Sequence, residues 1–169
     1  MSNPAGLALA LERIAEEQLA HTGFLDLGNL GLTEPPEELF ELDHLEGLNL
    51  GARWTDELGK SHEASGGLDK NHVEGWLAEL TRLPRLRVLT LSDLAILDLA
   101  PLVRLTSLQT LDCSFTQVSD LAPLAGLTSL QSLSCWKTQV SDLAPLARLT
   151  SLQTLDCFWT QVSDLAPLA

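Results

Sequence analysis

Between residues 105 and 169 the chain writes one 22-residue unit three times, and nearly every letter is retained from copy to copy. The copies read LTSLQTLDCSFTQVSDLAPLAG, LTSLQSLSCWKTQVSDLAPLAR and LTSLQTLDCFWTQVSDLAPLA. A fixed period of this length means one supersecondary unit that buries its apolar face only by stacking on its neighbours. Five columns differ: Thr110/Ser132/Thr154, Asp112/Ser134/Asp156, Ser114/Trp136/Phe158, Phe115/Lys137/Trp159 and Gly126/Arg148. Where the scaffold letters are held and a few columns change, those columns are the place to look for function.

The frame continues backwards. Leu83, Leu86, Leu89, Leu91, Leu94, Ile96, Leu99, Pro101 and Leu102 occupy the columns of Leu105 to Leu124, and Leu45, Leu48, Leu50, Leu25 and Leu27 fit strands of the same type. Six strands are expected near residues 26, 49, 90, 112, 134 and 156. The one wide interval leaves residues 53–76 as an insertion: polar, with Gly66-Gly67, His62 and His72, and bracketed by Trp54 and Trp76. It reads as a loop projecting from the coil, with the two tryptophans packing its base. Residues 4–20 read as an amphipathic helix, with Asn3 as N-cap, Pro4 at the first position, and an apolar stripe of Leu7, Leu11, Ile14 and Leu19. Such a helix, within residues 1–21, suits the open apolar end of the first coil.

The spacing Leu86-x-x-Leu89-x-Leu91-x-x-Leu94-x-Ile96, repeated at Leu108-x-x-Leu111-x-Cys113-x-x-Thr116-x-Val118, resembles the leucine-rich repeat over residues 22–169. The half V-S-D-L-A-P-L is similar to the 22-residue, internalin-like bacterial class, and the opening GFLDLGNLGLTEPPEELFELDHLEGLNL to the repeats that precede the GTPase module of bacterial Roco proteins. The resemblance implies an α/β solenoid: a right-handed coil of about six repeats with a parallel concave sheet and an N-terminal helical cap. Two departures are clear. Cys replaces Leu in one core column, and Thr116, Thr138 and Thr160 stand where the family carries Asn, so a full asparagine ladder is not expected.

In such a coil side chains alternate across each short strand. Leu111 and Cys113 are expected inside, with Thr110, Asp112 and Ser114 on the concave face. Two adjacent rows then gather Phe115, Trp136, Lys137, Phe158 and Trp159 towards the C-terminal end, with Asp112 and Asp156 beside them. Aromatics in a polar surround suit a protein-binding hot spot, and also suit a ladder that merely stacks neighbouring coils. Cys113, Cys135 and Cys157 lie one repeat apart and read as small core residues, since a straight ladder does not converge on a metal. The Asp98, Asp120, Asp142 and Asp164 column reads as caps of short convex turns, and the threonine column as hydroxyls satisfying turn backbone.

Charge narrows the partner. Residues 1–80 hold 16 Asp/Glu against 4 Lys/Arg, and the whole chain is −13, with no basic stripe; neither nucleic acid nor an anionic membrane is expected. The N-terminus lacks a secretory signal and no 18-residue apolar run exists, which points to the cytoplasm, with a translocated effector as the alternative. The triplet Gly59-Lys60-Ser61 imitates a phosphate-binding loop, but Trp54 stands where its first glycine is required. His62, Glu63, Asp69 and His72 match no short metal-ligand spacing, so no cofactor or metal is expected, and no catalytic motif is present. The expected role is a non-enzymatic protein-recognition module for a protein partner or another domain of its parent. The alternatives are the regulatory arm of a larger Roco-like GTPase and the targeting module of a secreted effector. Leu155, Cys157, Val162, Leu165 and Leu168 would face a further coil, so the chain is expected either to be part of a longer protein or to self-associate through this end.

Overall fold

A computed structural model describes residues 2–55 and 60–168. Helix α1 (Pro4–Ala20) is followed by strands of three residues each: β1 (Phe24–Asp26), β2 (Gly47–Asn49), β5 (Val88–Thr90), β6 (Thr110–Asp112), β7 (Ser132–Ser134) and β8 (Thr154–Asp156). They form one parallel sheet in the order β1-β2-β5-β6-β7-β8, with Leu25, Leu48, Leu89, Leu111, Leu133 and Leu155 in direct register. The register puts each leucine on the next, and all but Leu155, on the edge strand, are at most 4% exposed. Fully burying a leucine side chain is worth about 1.5–3 kcal/mol. The column therefore drives coil-on-coil stacking.

The opposite wall is made of short 3-10 turns, four of them beginning Ala-Pro-Leu at Ala100, Ala122, Ala144 and Ala166. The proline fixes φ near its helical value, and the preceding aspartate accepts the alanine N–H: Asp98, Asp120, Asp142 and Asp164 Oδ1 lie 2.7–2.8 Å from the nitrogens of Ala100, Ala122, Ala144 and Ala166. The threonine column closes the other corner. Thr116, Thr138 and Thr160 hydroxyls donate to the carbonyls of Cys113, Cys135 and Cys157 at 2.6–2.7 Å. Cys113 and Cys135 are buried, and loss of solvation raises both thiols, Cys135 to about 12, so they pack as small apolar groups.

Helix α1 meets the first coil by a face shifted from the leucine stripe. Gly6, Ala10, Ile14 and Glu17 are buried, while Leu19 is 87% exposed. Small residues let the helix sit on the backbone: a Cβ on Gly6 would come within 1.6 Å of the Leu30 carbonyl oxygen. Glu17 is tolerated inside because it closes the helix end. Its carboxylate accepts the N–H groups of Thr22 and Gly23 and the Thr22 hydroxyl, and sits 2.9 Å from His44 Nε2. Burial alone raises its pKa, but these hydrogen bonds outweigh it and hold the carboxyl below the usual 4.5.

Residues 53–76 depart from the expected solvated loop at both ends. Strands β3 (Arg53–Thr55) and β4 (Ser61–Glu63) pair antiparallel as a hairpin, whose residues 56–59 lie outside those described. The chain then re-enters the coil: Asn71, Val73 and Trp76 are all at most 2% exposed. Asn71 donates to the carbonyls of Leu27 and Leu50 and accepts the N–H groups of Leu30 and Leu32, at 2.7–3.3 Å. It is a ladder asparagine. The asparagine position falls at Arg53 by count, yet it is filled from beyond the hairpin, because those four buried backbone groups need partners.

Two outcomes follow. Asn71→Ala strands four buried backbone groups, each costing on the order of 1–3 kcal/mol if no water replaces the side chain, so urea denaturation should show a loss of about 3 kcal/mol or more. The exposed His72→Ala should stay within about 0.5 kcal/mol of the parent. The lowered Glu17 pKa means its contribution is complete above the unfolded value of 4.5 and fades as pH falls through the folded one. Thermal midpoints measured from pH 7 to 3 should therefore fall less steeply in Glu17→Gln, from a lower starting stability.

Candidate protein-binding face

The outward column after each strand carries the aromatic cluster, and the backbone there is unusual. Asn29, Asp93, Phe115, Lys137 and Trp159 all adopt left-handed φ of 54–61°. Asn and Asp accept that region readily, whereas bulky residues do so at a cost of about 1–2 kcal/mol. Inter-coil bonds hold them there. The N–H groups of Asp93, Phe115 and Lys137 donate to the carbonyls of Ser114, Trp136 and Phe158 on the next coil at 2.8–2.9 Å. Strain of this kind, held by surrounding structure, points towards function.

The rings form one continuous patch. Phe115 meets Trp136 edge to face at 4.5 Å, Trp136 lies 6.2 Å from Trp159, and Trp159 stacks on Phe158 at 5.6 Å. Lys137 Nζ stands 5.1 Å from the Phe115 ring and 5.8 Å from that of Trp159, with the Arg53 guanidinium 6.0 Å from Phe115. Phe158 and Trp159 are 64% and 63% exposed. Trp136 is half-buried, and its covered indole N–H finds no acceptor among the described residues. Ser114, expected outside, is instead buried, and so is Ser92 in the same column. Ser114 bonds Ser134 at 2.7 Å, and Ser92 exchanges hydrogen bonds with the Arg53 backbone at 2.7 and 3.1 Å.

The hairpin makes the second wall. Trp54 packs at 4.4 Å between Phe24 and His62, and Phe24 in turn lies across Gly47, where a Cβ would come within 2.7 Å of its ring. The result is a groove of about 1290 Å³ along the sheet, with Thr110, Asp112, Ser132, Ser134, Thr154 and Asp156 as its floor and Trp54, Phe115 and Trp136 at its side. Of the seven expected binding residues, Asp112, Phe115, Trp136 and Asp156 line it, and Lys137, Phe158 and Trp159 join it only through their contacts with Phe115 and Trp136. Trp54, Arg53 and Phe24 were not expected there, because the period shows that something is inserted but not which way it folds. Asp112 is partly covered: burial raises its carboxyl pKa, with Asp156 adding to the rise and hydrogen bonds from Ser114 opposing it.

Among the described residues no three His, Cys, Asp or Glu side chains converge on a point, and no helix is long and apolar enough to cross a membrane. His62 stacks on Trp54 and Glu63 pairs with Arg53 at 3.7 Å, while His72 is exposed on the re-entrant coil.

The family model for leucine-rich repeats in two copies matches residues 84–126 and 128–169. Together these make up half of the chain, which belongs to the leucine-rich-repeat family, a family of protein-interaction modules. No curated protein matches it. Among solved structures, internalin C2 of Listeria monocytogenes is similar at 27% identity and TM-score 0.54, the match covering 99% of this chain and 88% of that one. Internalin F of the same organism follows at 24% and 0.52, covering 97% and 58%, and a leucine-rich-repeat protein of Leptospira interrogans at 24% and 0.56, covering 77% and 29%. This chain thus spans most of the first and smaller parts of the others.

The left-handed column makes a stability test. Lys137→Asn puts a tolerant residue at φ 54°. It gives up an exposed cation–π contact worth about 0.5–1 kcal/mol, against about 1–2 kcal/mol of relieved strain. The thermal midpoint should hold or rise. Asp112→Asn, which keeps an oxygen for the Ser114 N–H while removing a poorly solvated charge, should also raise it at pH 7. For an acid raised in the fold, the penalty is present above its unfolded value of 3.8 and disappears as pH falls below it, so that gain should vanish at low pH.

Proposed function

We propose that this is a non-catalytic recognition module that binds a protein partner, or another domain of its parent, through the concave face, with Phe115, Trp136, Lys137, Phe158 and Trp159 as the contact patch and Asp112 and Asp156 in support. One observation carries the reading: large residues are held in left-handed backbone, with two rings more than 60% exposed, where asparagine or aspartate serves the fold better. Aromatic side chains of this kind dominate interface energetics. The acidic balance, −13 over the chain, disfavours nucleic acid and anionic membranes as ligands. A role as the regulatory arm of a GTPase or as the targeting module of an effector uses the same face and differs in what the parent protein contains.

The principal test is a double substitution. Trp136→Ala with Trp159→Ala should abolish capture of the partner from lysate while far-ultraviolet circular dichroism stays unchanged. Undiminished capture by a folded double mutant refutes the patch.

A further inference from the structure

The charges along the groove are not evenly compensated. Glu46 and Asp93, at its edges, each have a cation: Arg87 at 3.7 Å and Lys70 at 2.7 Å. The two floor carboxylates have none within 4 Å among the described residues. Asp112 Oδ1 accepts the Ser114 N–H and Asp156 Oδ1 the Phe158 N–H, and no basic side chain pairs with either. Burial of Asp112 makes an unpaired charge there costly, which a cation from outside would relieve.

Their spacing is informative. Asp112 is in register with Ser134, and Ser134 with Asp156, so the acids stand two strands apart with a neutral residue between. Two spacings of a parallel sheet make about 9.6 Å. A polyproline-II chain lying along the coil axis repeats the same face every third residue, which is about 9.3 Å. An ordinary extended strand instead repeats its face every second residue, about 6.6 Å, and places its second cation between Ser134 and Asp156, about 3 Å short of the latter. The aromatic side of the groove also suits such a chain, because the side chains between the cations point away from the floor and proline rings pack well on Trp and Phe.

We propose that the groove receives a basic polyproline-II segment of the partner, with two Lys or Arg side chains three residues apart seated on Asp112 and Asp156. This rests on the concave face being the binding face and adds the chemistry of its ligand. The cationic ligand also matches the acidity of the chain as a whole.

The test uses the 169-residue chain and three labelled peptides, read by fluorescence anisotropy. Pro-Lys-Pro-Pro-Lys-Pro should bind, weakening as salt rises from about 50 to about 200 mM. The peptide with both lysines replaced by glutamate should bind at least about tenfold more weakly, and Pro-Lys-Pro-Lys-Pro-Pro, with its cations two apart, should also be weaker. Asp112→Asn with Asp156→Asn should lose about tenfold towards the first peptide without loss of thermal stability. Equal binding of the lysine and glutamate peptides, no binding of the first peptide, or no effect of the double Asn variant overturns the inference. Equal binding of the two lysine spacings overturns the polyproline-II register. The two readings fail separately: if the double Asn variant still captures the partner and the double tryptophan variant does not, the patch stands and the basic segment falls, whereas undiminished capture by the double tryptophan variant refutes the patch.

Discussion

The structure depends on one constraint, the in-register parallel ladder between successive coils. Each strand is three residues long, too short to hold its place alone, so the ladder continues past the strand into the turn. Cys113 donates to Ser134, and Phe115 to Trp136, in one unbroken run of coil-to-coil bonds. That run explains how a phenylalanine and a lysine occupy left-handed backbone. A single turn with these residues would relax; a turn clamped to its neighbour does not. The same clamp sets the rings side by side, so the interaction that builds the core also arranges the surface.

The second organising element is the hairpin. Because the coil resumes at Asn71, the inserted segment leaves and returns at one level of the sheet and is anchored at both ends by polar contacts: Ser92 with the Arg53 backbone, and Asp26 with Ser65 at 2.7 and 2.9 Å. It folds back over β1 and β2 and leaves the outward positions of β6, β7 and β8 open. A flat sheet becomes a groove with a wall. On that floor Asp112 is partly covered, so its charge is screened by water less than that of a fully exposed carboxylate.

Much of this was legible in the chain. The leucine period gives the six parallel strands, the Asp-x-Ala-Pro-Leu turns and the buried cysteine column directly, because each copy repeats the same local solution and its side-chain periodicity admits one inward face. The aromatic rows were legible for the same reason: columns of a repeat become rows of a solenoid. Legibility fails where the period does. Ser114 and Trp136 share a column yet not an environment, since a serine fits under the turn and an indole does not. In α1 the obvious leucine stripe lost to Gly6 and Ala10, because close approach to the Leu30 backbone required small residues rather than apolar bulk.

What the sequence determined by itself is the coil: a repeated unit with one apolar face can only stack, and stacking turns its variable letters into a surface. What the tertiary structure alone decided is the groove. Whether an insertion projects or folds back depends on which buried backbone groups lack partners, and Asn71, distant in the chain from Leu27 and Leu50, supplies them. Likewise, which carboxylates keep a counter-charge is set by distances between different coils. Asp93 finds Lys70 and Asp112 finds none, a difference that no single repeat contains.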